Sequence, residues 1–151
     1  MKYFYSNTTS YKNKILINEI NQAATRLTNK ILSLNLNSLN ISDYNNNYLK
    51  NKFKNPISTI QMNAYLLFLC LDGKKILKEN FTIVDYGGGS GLFSLLAKEF
   101  GIDCVIYNDI YDISCEDIKK LSKALNLKVD QIICGEIDDL NNDVKNKNLS
   151  V

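Results

Sequence analysis

Apolar residues recur every three or four positions early in the chain. Leu16, Ile20, Ala23, Leu27, Ile31 and Leu34 fall on one stripe of a helix. An asparagine-rich stretch follows. A second, short helix is predicted from Asp43 to Phe53, with Tyr44, Tyr48 and Leu49 inward, before Pro56 breaks it. Ser58 and Gln61 have the spacing of a capping box, and the helix they open runs through "MNAYLLFLCL" to a stop at Gly73. Beyond that point the period changes. "FTIVDY", "DCVIYND" and "VDQIICGEI" are short β-rich runs. Between them, "GLFSLLAKEF" and "SCEDIKKLSKALN" are helical, the second with Ser114 as N-cap and Asp117 in its first turn. Alternating strand and helix with short connections predicts an α/β architecture, a parallel sheet joined by right-handed crossovers. Residues 1–72 then form an N-terminal helical cap segment and residues 73–151 the sheet-bearing one.

Composition narrows the function classes. The chain has 151 residues, one ordinary domain's length and enough to bury a core. A formal net charge of +2 with no strongly basic run argues against a partner held by bulk electrostatics, whether nucleic acid or membrane surface. "KKILK" and "KNKFK" read as solvated helix faces. "MKYFYSNTTSYKNK" has no apolar core of a signal peptide, and "AYLLFLCL" is too short to cross a bilayer, so it reads as a buried helix. Cys70, Cys104, Cys115 and Cys134 show no C-x-x-C spacing, and all but Cys115 lie in apolar runs. They read as reduced, mostly core thiols of a cytoplasmic protein. Histidine is absent, which excludes Ser-His and Cys-His catalysis and most zinc sites; no metal site is expected.

The segment "VDYGGGSGLF", Val84 to Phe93, carries the candidate chemistry. A phosphate-binding P-loop needs G-x-x-x-x-G-K-[ST], but the next lysine is Lys98, deep in the following helix. A dinucleotide fingerprint needs G-x-G-x-x-G/A. Counted from Gly87 the last position is Leu92, and counted from Gly89 it is Ser94. The pattern present is D-x-G-x-G-x-G: Asp85, Gly87, Gly89, Gly91.

In this pattern the chain resembles class I S-adenosylmethionine-dependent methyltransferases, whose first motif is an acidic residue at the end of strand one followed by G-x-G-x-G. The resemblance implies a partial Rossmann-like fold: three parallel strands in the order 3-2-1 with crossover helices, preceded by the helical segment. It implies that Asp85, Gly87, Gly89 and Gly91 bind S-adenosylmethionine. Glycines let backbone approach a cofactor where a Cβ would collide, and a carboxylate suits its cationic methionyl end. Asp109 ends the second strand about twenty residues after the loop and would accept from both ribose hydroxyls, with Asp112 as fallback. In "CGEIDDL", Glu136 would meet the adenine amino group and Ile137 pack on the ring, with Asp138 as the alternative to Glu136. Tyr86 departs from the small aliphatic residue common inside the motif. The likeness covers about Phe81 to Leu140, less than half the chain.

The family's sheet is larger than three strands, and Leu149 to Val151 read as the start of strand four. The chain is thus expected to be the N-terminal, cofactor-binding half of a longer enzyme. On this reading the catalytic residues lie past its end, the methyl acceptor is an unidentified small molecule, and the piece is inactive alone. Self-association through the unpaired strand-one edge is expected. The N-terminal helices would cap the cofactor; Tyr44 and Tyr48 read first as core aromatics and second as lining residues. Two other readings stand beside this one. One is a fragment of a nicotinamide-dependent reductase; the other is a non-catalytic helical interaction module with a vestigial nucleotide-binding fold.

Overall fold

The computed structural model describes residues 11–72 and 81–146. In α1 (Tyr11–Ser33) the helical stripe turns inward and buries Ile20, Ala23, Leu27 and Ile31. A 3-10 turn (Leu36–Leu39) follows, closed by Asn40 in the left-handed conformation that asparagine tolerates. In α2 (Asp43–Lys52) the N-cap is Ser42, whose hydroxyl accepts from the Asn45 amide. The buried residues of α2 are Asn45 and Leu49. Tyr44, expected inward, is 74% exposed, because one residue along a helix is a turn of about 100° away from the buried line.

Helix α3 (Pro56–Leu71) begins earlier than the capping-box spacing suggests. Asn55 is its N-cap and Pro56 its first residue, where a missing amide costs nothing. Ser58 lies inside the first turn and donates to the Asn55 carbonyl. One side of α3 buries Ile60, Ala64, Leu67, Phe68 and Leu71, while Met62, Leu66 and Leu69 are exposed. The run expected to be buried all round is buried on one face only. Gly73 lies outside the described residues.

The second segment alternates as read: β1 (Thr82–Tyr86), α4 (Leu92–Phe100), β2 (Cys104–Asp109), α5 (Asp112–Ala124), β3 (Gln131–Cys134) and α6 (Ile137–Asn146). The three strands form an open parallel sheet with β2 between β1 and β3. In register, Asp85 lies beside Tyr107, and Tyr107 beside Ile132. Among the described residues β1 pairs with β2 alone. The fourth strand expected at Leu149 to Val151 lies outside them. Helix α5 starts two residues before Ser114, which is buried in its first turn rather than capping it. Asp117 lies farther along α5 and is buried too.

One hydrophobic core joins both segments, running from Ile20 and Leu27 of α1 through Leu67 of α3 to Leu95, Val105 and Ile118. Two polar clamps fasten the same contact. Glu99 of α4 receives Arg26 Nε at 2.7 Å and Lys30 Nζ at 2.5 Å from α1. Asp117 of α5 accepts from Ser42 N at 2.9 Å, Ser42 Oγ at 2.5 Å and Asn45 Nδ2 at 2.8 Å.

The cysteines are free, but their burial reverses the expectation. Cys115, outside any apolar run, is the buried one; Cys70 and Cys104 are half-buried and Cys134 is exposed. Position on a helix face or at a strand end, rather than apolar neighbours in sequence, decides it. No helix among the described residues is long and apolar enough to cross a membrane.

Candidate functional site

The parallel sheet sends the ends of β1 and β2 to the same edge, and the glycine segment turns there between β1 and α4. Gly87, Gly89 and Gly91 have φ of +68°, +53° and +72°, a region in which glycine alone is unstrained. The loop is held by its own amides. Gly88 N donates to Asn108 O at 2.9 Å and Gly91 N to Gly88 O at 2.8 Å. A Cβ on Gly91 would stand 2.1 Å from Ile118 Cδ1, so this glycine lets α5 pack under the turn. A Cβ on Gly87 or Gly89 would meet nothing within 4 Å. These two face open space.

Two carboxylates brace the turn. Asp85 Oδ2 accepts from Ser94 Oγ at 2.7 Å and Ser94 N at 3.2 Å, tying the end of β1 to the first turn of α4. Its Oδ1 has no hydrogen-bond partner among the described residues. Burial pushes the Asp85 pKa up; the Ser94 hydrogen bonds oppose this, and the nearby Asp109 charge adds to the rise. Asp109, 5% exposed, accepts from Gly89 N at 2.8 Å through Oδ2 and from Tyr111 N at 3.0 Å through Oδ1. Tyr107 completes the brace by donating its hydroxyl to Gly89 O at 2.7 Å. Burial raises the Tyr107 pKa, so the phenol keeps the proton it donates.

Above the loop lies a cavity of about 610 Å³, within the usual range of small-molecule sites. Its floor is Val84 to Ser90 with Leu92 and Phe93. The opposite wall comes from α2 and α3 and includes Tyr44, Asn45, Tyr48 and Asn63. Tyr44 and Tyr48 stack there, ring centroids 6.5 Å apart and planes 18° from parallel. For Tyr44 the first reading, a core aromatic, is therefore replaced by the second.

The structure places the sequence-predicted residues in three groups. Asp85, Gly87 and Gly89 line the cavity. Gly91, the N-cap residue of α4, and Asp109 support the loop from beneath without lining it. Glu136 and Ile137 stand apart, both exposed, where β3 turns into α6. Glu136 N donates to Asp139 Oδ2 at 3.0 Å and its carbonyl accepts from Leu140 N, so its backbone opens α6. Asp112 accepts from the Cys134 thiol, and Asp138 is exposed.

Sequence reasoning missed Tyr107, Ser94, Asn45 and Asn63. Tyr107 was within reach: two residues before Asp109 on a strand, it must share that residue's face. Ser94, one turn into an apolar helix, and the asparagines of an asparagine-rich chain gave no signal. No protein-family model, no curated protein and no solved structure matches this chain.

Proposed function

We propose that the chain binds S-adenosylmethionine and is the cofactor-binding half of a cytoplasmic methyltransferase with a partial Rossmann-like fold. One observation carries the reading: a left-handed glycine turn at the end of β1, with a carboxylate at its base, forms the floor of a cavity into which Gly87 and Gly89 present bare backbone. The residues present fit the group. Asp85 Oδ1 is unengaged and suits the ammonium of the methionyl end. Asp109 lies beneath the loop, where Oδ2 holds the Gly89 amide and Oδ1 the Tyr111 amide. When bound, S-adenosylmethionine supplies an electrophilic methyl group on a positively charged sulfur. The chain's own part is positioning. Asp109 and Tyr107 hold Gly89 from both sides, so the loop is ordered before ligand arrives.

Calorimetric titration with S-adenosylhomocysteine tests the reading, with NADH as the competing probe. Saturable binding of the first and none of the second is expected. A folded chain that ignores S-adenosylhomocysteine would overturn the proposal.

Asp109→Ala is expected to weaken this binding through the loop, because the Gly89 amide loses a charged acceptor, a hydrogen bond worth about 1.5–3 kcal/mol, so Kd should rise on the order of ten-fold. Unchanged affinity would remove Asp109 from the site.

Asp85 gives a pH test. Its folded pKa is raised, so on increasing pH the unfolded chain ionises first. The neutral carboxyl's contribution to stability is full below the unfolded pKa and is lost as pH rises through the folded one. Binding runs the other way, since only the ionised carboxylate attracts an ammonium. Affinity should therefore fall as pH is lowered through the raised pKa. Asp85→Asn should flatten that profile and weaken binding at neutral pH while leaving Tm equal or higher. A variant whose affinity keeps the wild-type pH dependence would show that Asp85 does not meet the ligand.

A further inference from the structure

The wall of the cavity opposite the glycine turn has a chemistry of its own. Tyr44 and Tyr48 offer stacked, electron-rich ring faces, and Tyr44 is 74% exposed. Lys52 Nζ lies 5.6 Å from the Tyr48 ring centroid, so the Tyr48 ring already meets one cation in the fold itself. The asparagines beside them have spent amide protons elsewhere: Asn45 Nδ2 on Asp117 Oδ2 at 2.8 Å, Asn63 Nδ2 on Thr59 O at 3.2 Å. The Asn63 amide oxygen, on the half-buried side chain, is left to accept. Across the cavity, Asp85 is the one charged side chain among the described residues that line it. Ring faces, an amide oxygen and a carboxylate all favour a ligand that brings hydrogen-bond donors and no negative charge.

We propose that this wall is a binding subsite for a flat aromatic amine, recognised by the stacked Tyr44 and Tyr48 rings and the Asn63 amide oxygen, in a cavity whose one charged lining residue, Asp85, is acidic. That this ligand is the methyl acceptor rests on the methyltransferase reading; that it binds does not. Carboxylated and phosphorylated ligands are the class the subsite rejects.

Tryptamine and indole-3-acetate share a ring and differ in the sign of their charge. The chain contains no tryptophan, so indole emission reports the probe alone when excited beyond tyrosine absorption. Tryptamine is expected to bind, and indole-3-acetate about ten-fold more weakly or not at all. Tyr44→Ala, at an exposed position, should weaken tryptamine about five- to ten-fold and leave S-adenosylhomocysteine affinity within about two-fold. Absence of tryptamine binding, equal binding of the two probes, or indifference to Tyr44→Ala would each overturn the subsite. Tryptamine binding with these preferences in a chain that ignores S-adenosylhomocysteine would uphold the subsite and defeat the methyltransferase reading alone.

Discussion

Asp117→Ala is expected to cost the fold about 3 kcal/mol or more, because three donors lose a charged acceptor and each such hydrogen bond is worth about 1.5–3 kcal/mol. Asp117 is 2% exposed, and Asn45, which donates to it, is 1% exposed. Truncation takes the acceptor from three donors: the half-buried Ser42 amide and hydroxyl, which water can still reach, and the buried Asn45 amide nitrogen, which it cannot. Each buried, unsatisfied group carries a penalty of roughly 1–3 kcal/mol. Against a typical total of about 5–15 kcal/mol, that is a large share. The effect should reach the site as well, since Ser42 caps α2 and Asn45 lines the cavity. Asp117→Asn retains one acceptor oxygen and should fall between wild type and Asp117→Ala. Urea denaturation monitored by circular dichroism measures the series. Equal midpoints for wild type and Asp117→Ala would mean that the two segments do not depend on this network.

Gly89→Val should act on binding instead. Its Cβ would meet no atom of the fold, so the cost to stability is the left-handed backbone, about 1–2 kcal/mol. The valine branches, however, would enter the space above the turn. Loss of S-adenosylhomocysteine affinity on the order of 100-fold or more is expected, with Tm lowered by only a few degrees. Gly91→Val is the contrasting variant. Its Cβ would strike Ile118, so stability should fall first. Normal binding by Gly89→Val would make the glycine segment a turn and nothing more.

The alternation of strands and helices was legible because periods of 2 and 3.6 residues are imposed by burial, and burial is written in side-chain type. Helix starts were less legible because they depend on geometry outside the helix. Pro56, read as the end of α2, is also the first residue of α3, a position that tolerates proline, and no side chain of α5 announces that it begins at Asp112. There Asp109 Oδ1 takes the Tyr111 amide, turns the chain as β2 ends, and leaves Ser114 to be swept into the interior. The glycines and Asp85 were readable as a motif. Tyr44 and Asn63 could be assigned to the cavity only once α2 and α3 were seen to lean over the loop, a packing that local sequence does not encode. The same holds for Glu136: its place after β3 was readable, but not that its backbone would open α6 while its side chain stays out of the cavity lining.

Glycine-rich turns are ordinarily among the first parts of a protein to exchange amide protons with solvent. This one is built otherwise. Three donors along it, Gly88, Gly89 and Gly91, are each spent on an acceptor inside the protein, and two of those acceptors belong to β2. Opening the turn therefore requires letting go of the central strand of the sheet. Its amide protons should be retained as long as those of β2 in heavy water, giving the most glycine-dense segment of the chain the exchange lifetime of the sheet.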